Sequence, residues 1–271
     1  MEQFNYDNID ITNDFMFGYV MSDPERCKQF LEQILDIQID HVEYLEKQKS
    51  IDMKIDAKGI RLDIYMSDGK TVYNVEMQTS SNNNLPRRSR YYQGQVDMNL
   101  IAKGENYNKL KKSFVIFICS FDPFGKDRYV YSFENICKGE NSGDDIFLQD
   151  EAYKVFINTK GTKGNVSDNF KELMDYFNNS ENAKSSKNPL VHSIDAAVQS
   201  ARNNEEWRHD FMTWQMYGNE KYDEGKAEGE KKKAKETALR MFSKGLDVKM
   251  IAEMVGETEE TVEQWVLVKE A

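Results

Sequence analysis

GIRLDIYMSDGKTVYNVEMQ, residues 59–78, consists of two alternating runs joined by Ser67-Asp68-Gly69-Lys70. Asp-Gly between such runs marks a β-hairpin with a tight turn. Pairing the strands about that turn sets residue 67 against 70, 65 against 72 and 63 against 74. Facing residues share a side of the sheet, and sides alternate along each strand. One side then carries Leu62, Ile64, Met66, Thr71, Tyr73, Val75 and Met77 and is expected to be core. The other carries Arg61, Asp63, Tyr65, Ser67, Lys70, Val72, Asn74, Glu76 and Gln78 and is expected to be polar. In this register Asp63 and Glu76 are diagonal neighbours, roughly 7–8 Å apart at the backbone, with Gln78 one step further along.

Two carboxylates on a rigid hairpin suit a hard cation such as Mg²⁺ or Mn²⁺, which prefers oxygen ligands. Such a cation polarises a phosphodiester and lowers the pKa of a bound water. Gln78 can orient a water or contact a phosphate, but an amide does not ionise and is no general base. The same pattern also describes an ordinary hairpin with one solvated face.

Outward from the hairpin, Thr12 is a candidate cap for a short helix over 12–21, and Asp23-Pro24 opens a second helix. Residues 37–56 look strand-like, and 85–103 form a helix. SFVIFICSF, residues 113–121, is a short continuous apolar run, expected of a strand buried on both faces. A strand over 152–158 and a helix over 167–178 follow. Residues 179–188 are polar and read as a linker or loop, after which the chain is expected to be wholly helical.

Several stretches together carry a resemblance. Asp63 and Val75-Glu76-Met77-Gln78 are similar to the acidic residue and the E-x-Q variant of a nuclease signature. Arg88-Ser89-Arg90-Tyr91-Tyr92, Gly104-Glu105-Asn106-Tyr107 and the apolar strand over 114–121 follow in order, and Asn13-Asp14-Phe15-Met16-Phe17 precedes them. The chain resembles the PD-(D/E)xK nuclease family transposases, or recombination-promoting nucleases, over roughly residues 10–180. The resemblance implies an α/β fold, a restriction-endonuclease-like mixed sheet flanked by helices. It implies a metal-dependent DNA endonuclease linked to mobile-element recombination or defence. Asp63, Glu76 and Gln78 would be catalytic, and Asp63, Glu76 and Asp14 would hold Mg²⁺ or Mn²⁺. The usual lysine two residues after the glutamate is Gln78 here, a glutamine that members of the family commonly show.

Arg87, Arg88 and Arg90 stand at the start of a helix beside the hairpin, with Arg88 and Tyr92 four residues apart on one face. They are candidates for the DNA backbone, or else a solvated first turn. The three histidines show no metal spacing, and the three cysteines show neither CxxC spacing nor an even count. Lys and Arg total 36 against 47 Asp and Glu, a net charge of -11, which counts against coating nucleic acid by bulk charge. No apolar run suits a membrane span or a secretory signal, so a cytoplasmic location is expected.

The domains expected are a nuclease-like domain over 1–180 and a helical tail over 181–271. The tail ends in a helix-turn-helix-like unit around Gly256, whose second helix carries Glu259, Glu260 and Glu263. An anionic helix is repelled by phosphates, so the expected role is homo-oligomerisation. An alternative of a different class is a catalytically weak or inactive nuclease-fold protein acting in DNA binding or assembly. The net charge and the missing lysine point that way; Asp63, Glu76 and Gln78 on one face point the other.

Overall fold

A computed structural model describes residues 5–51, 60–81, 84–140 and 143–267. The expected strand over 52–56, and the side chains of Arg61 and Leu62, lie outside what it describes. The chain forms two compact units, Met1–Arg208 and His209–Ala271.

In the first unit, α1 (Asp14–Val20) begins at Asn13, whose Oδ1 accepts the Met16 N–H at 3.0 Å. Thr12 is not the cap, because Asp10 engages its hydroxyl and its N–H. α2 (Pro24–Leu35) has the expected cap: Asp23 accepts the Arg26 N–H at 2.8 Å, with proline in the first turn.

The sheet contains β1 (Tyr44–Ile51), β2 (Ile60–Ser67), β3 (Thr71–Gln78), β4 (Lys112–Cys119), β5 (Val130–Phe133) and β8 (Ala152–Asn158), in the order β1-β2-β3-β4-β8-β5. β6 (Ile136–Cys137) and β7 (Ile146–Phe147) make a separate two-stranded ribbon. β1, β2 and β3 are antiparallel; β3, β4 and β8 are parallel; β5 returns antiparallel to β8. Parallel neighbours need a crossover, and α3 (Leu85–Leu100) supplies it between β3 and β4.

Helices cover both faces. On one, Leu85, Tyr92 and Val96 of α3 pack with Tyr65, Val72, Val115, Phe117 and Phe156. On the other, α1 lies against β1, β2 and β3. There α2, α4 (Asp168–Asn178) and α5 (Pro189–Asn203) pack on one another and α1 touches α5, with Phe17, Phe30 and Phe177 in mutual ring contact at 5.8–6.4 Å. β4 is accordingly buried on both sides.

Two expectations about the hairpin are corrected. Ser67 pairs with Val72 and Ile64 with Val75, a register two residues away from the one expected. The loop is longer because Asp68 organises it. Its Oδ1 accepts the N–H groups of Lys70 (3.0 Å) and Thr71 (2.6 Å), and Gly69 takes φ +88°. A shift of two preserves which side chains share a face. The face expected to be polar and solvated is buried instead, with Asn74 1% and Glu76 3% exposed, because α3 lies over it.

Residues 179–188 are tied into the first unit rather than linking two domains. Ser186 and the N–H groups of Lys187 and Asn188 all donate to Glu172, and buried Asn188 bonds Gln33 and the Asn169 carbonyl. The first unit therefore runs past the composition change near 180, and α5 buries Leu190, Val191, Ile194 and Val198 within it.

The second unit holds most of α6 (Glu205–Phe242), then α7 (Val248–Val255) and α8 (Glu259–Leu267). Gly256 ends α7 at φ +73°. Ala238, Ile251, Ala252 and Val262 form a small core closed by Met241, Leu246, Val255, Trp265 and Val266. The two short helices thus bury most of their apolar positions against the end of α6, leaving Met250 and Met254 exposed. Among the described residues, no helix is long and apolar enough to cross a membrane.

Candidate active site

The site forms where β2 and β3 part. Ladder pairing runs from Ser67–Val72 to Ile64–Val75, and side chains continue it. The Met77 N–H donates to Asp63 Oδ2 at 2.8 Å, and the Asp63 N–H donates to Glu76 Oε1 at 3.3 Å. Continuing the observed register sets Asp63 directly opposite Glu76, not diagonal to it. Each carboxylate reaches the main chain beside the other, which fixes both on the strand framework. Val75 and Met77 are buried on the opposite face.

Glu76 is under electrostatic load. Burial pushes its carboxyl well above the usual carboxylate range, and the neighbouring Asp63 charge pushes it further. The Asp63 N–H and the Arg88 guanidinium oppose this, while Asp14 adds to it. Asp63 is half-buried.

Gln78, one step further along β3, folds its amide back. Its Nε2 donates to the Met77 carbonyl at 2.8 Å, leaving Oε1 to accept from Arg88 Nη1, also at 2.8 Å. Arg88 projects from the first turn of α3. It also donates to the Tyr92 hydroxyl at 3.0 Å and lies over the Tyr92 and Phe117 rings, 5.3 and 5.6 Å from their centroids. Tyr92 is itself pushed up, first by burial and then by the Glu76 charge.

The structure therefore brings together Asp63, Glu76, Gln78, Arg88 and Tyr92. Asp14 is exposed in the first turn of α1, where it accepts the Phe15 N–H at 2.8 Å, and its charge is felt at Glu76. Arg87 and Arg90 are exposed on the outer side of the same helix start. Sequence reading did not assign Arg88 to Gln78. The signal that could have found it is an arginine one turn into a helix that must cross back over β3, since a parallel β3–β4 pair requires that crossover.

Among the described residues, no group of three or more His, Cys, Asp and Glu side chains is gathered so as to hold an ion. The pair Asp63 and Glu76 nevertheless fits a divalent cation: both offer hard oxygen donors, and Glu76 is a buried carboxylate whose charge the protein alone disfavours.

A mixed sheet between helices, with opposed carboxylates on its hairpin and a parallel strand beside them, defines a PD-(D/E)XK nuclease-like α/β fold. The chain belongs to the PD-(D/E)XK nuclease family transposases, whose family model matches residues 11–189. No curated protein and no solved structure matches the chain. Nucleases of this kind generally use divalent cations.

Proposed function

We propose that the protein is a divalent-metal-dependent DNA endonuclease that hydrolyses phosphodiester bonds, acting in mobile-element recombination or defence. The observation that carries this reading is the opposed pair Asp63 and Glu76, with the Arg88–Gln78 hydrogen bond one step along the same face. Asp63 and Glu76 hold Mg²⁺ or Mn²⁺, with Asp14 as a further acidic contributor. Bound there, the cation supplies Lewis-acid polarisation of the phosphodiester and activation of a water.

The chain's own residues do the rest. Asp63 and Glu76 keep their positions through reciprocal main-chain bonds. Arg88 restores, from α3, the positive charge that glutamine at 78 lacks, and with Gln78 it meets the charge developing on the phosphate. Tyr92 holds the guanidinium in place, and Arg87 and Arg90 contact the DNA backbone on the exposed side of the helix start. The helical tail joins copies of the chain into a homo-oligomer.

A second reading, a nuclease fold retained for DNA binding or assembly, is favoured by Gln78 and by the net charge of -11. Plasmid cleavage with Mg²⁺ or Mn²⁺ separates the two. Wild type should nick or linearise the plasmid while Asp63→Ala does not; equal products from both would remove Asp63 from the chemistry. Binding without cleavage by either would establish the second reading.

A further inference from the structure

Under α3, Asn74 is buried to 1% exposure, yet neither its Oδ1 nor its Nδ2 has a hydrogen-bond partner among the described residues. The sheet register fixes what lies over it. Tyr92 stacks on Phe117, which pairs with Glu76, and Gln93 Nε2 donates to Ser113 Oγ, which pairs with Val72. Asn74, paired with Val115, occupies the row between these two anchor points. The Oε1 atoms of Gln93 and Gln95 on α3 are also buried without partners, on opposite flanks of the helix, since residues two apart lie about 200° apart around it.

The two polar atoms of the Asn74 amide, left unpaired, carry the full cost of their desolvation. They are one acceptor and one NH₂ group on the same side chain and cannot pair with each other. A species that donates two hydrogen bonds and accepts two supplies what is missing, and water does so in buried polar sites of this kind. Asn74 and Glu76 are alternate residues of β3 and point to the same face, one repeat of about 7 Å apart. That separation suits a bridge of one water between amide and carboxylate.

We propose that Asn74 forms a buried water site that positions the Glu76 carboxylate from behind. Asn74 touches no substrate, so it is a positioning residue, and its effect rests on the reading of Glu76 as a metal ligand. Groups that support a ligand in this way typically matter about 10–100-fold for metal affinity.

Asn74→Val and Asn74→Thr in the full chain test this, because the two differ by a methyl against a hydroxyl on one strand-compatible shape. Two quantities are read: the melting temperature in EDTA, and Mn²⁺ affinity from the electron paramagnetic resonance signal of free Mn²⁺. Asn74→Val should melt several degrees lower and bind Mn²⁺ about 10-fold more weakly. Asn74→Thr should recover most of both. An Asn74→Val protein that melts at or above wild type would overturn the water site. A lower melting point with unchanged Mn²⁺ affinity would overturn the positioning of Glu76. If wild type binds no Mn²⁺, the cation reading fails on its own, and the EDTA melts still decide the water site. Should Asn74→Val not fold, Asn74→Leu, which branches at Cγ as asparagine does, replaces it under the same criteria.

Discussion

Asp63 and Glu76 are held by each other's strand: each carboxylate accepts a main-chain N–H at the point where the ladder opens. Amides at either position can still accept such a bond but bind a hard cation poorly. Asp63→Asn and Glu76→Gln are therefore expected to keep the wild-type far-ultraviolet circular dichroism. They should lose cleavage by more than the roughly 100-fold that a supporting group costs. Glu76→Gln cutting plasmid at the wild-type rate would place the metal elsewhere. In EDTA the same variant should melt a few degrees higher, since it removes a buried charge beside a second carboxylate. Arg88 makes a different prediction. Its planar fork serves Gln78 and Tyr92 at once, a geometry lysine cannot copy. Arg88→Ala should lower kcat by about 10²–10³-fold, and Arg88→Lys should restore only part of it. Full activity in Arg88→Ala would mean that Gln78 works without it. At this scale the acidic residues were legible because parity along a strand survives a register error of two. The Arg88–Gln78 bond was not, because it joins residues ten apart across a turn whose course no local pattern specifies.

Among the elements, the hairpin shows where local reading stops. Asp68-Gly69 announced the turn, but the Asp68 carboxylate captures two further N–H groups, extends the loop and moves the register by two. The buried strand β4 and the cap at Asp23 were readable from runs and caps alone. The burial of the Glu76 face was not, because it depends on α3 returning over the sheet, and α3 carries Arg88 and Gln93 on its inward side. The connection from β4 to β5 is likewise set by one side chain. Asp122 accepts the Tyr131 hydroxyl at 2.7 Å and the N–H groups of Phe124 and Asp127 at 3.0 and 2.7 Å. Burial works to raise its pKa, but these bonds outweigh burial and hold the carboxyl at about 2. A depressed folded pKa gives stability that is present above the ordinary carboxylate range and lost as pH falls through the folded value. Asp122→Asn is thus expected to cost about 1 kcal/mol at pH 7, a figure discounted for a loop open to solvent. The gap to wild type should close as pH drops from about 4 to about 2. Urea melts across that range check it, and a gap independent of pH would mean that the loss does not come from the carboxylate charge.

For the whole molecule, the question is what the second unit adds to the first. Its core is small: Ala238, Ile251, Ala252 and Val262 with a few half-buried neighbours. Around that core Leu239, Phe242, Met250 and Met254 remain 37–58% exposed, with Leu239 and Phe242 three residues apart on α6 and Met250 and Met254 four apart on α7. Apolar side chains repeated at helical spacing on a surface mark a place where another helix packs. DNA is a poor occupant, since Glu259, Glu260 and Glu263 at the start and middle of α8 would face phosphates. A second copy of the chain is the better one, because a two-fold contact lets one patch serve both partners. Such an assembly would place two copies of the Asp63–Glu76 site on one DNA, so that paired nicks become a double-strand break. A chain ending at Arg208 keeps the whole first compact unit and every residue of the candidate site. By light scattering it is expected to be monomeric where the full chain is oligomeric, and on supercoiled plasmid it should give nicked circles in place of linear product. If the shortened chain scatters as the same oligomer, the tail is not the assembling element, and the exposed methionines must serve something other than self-association.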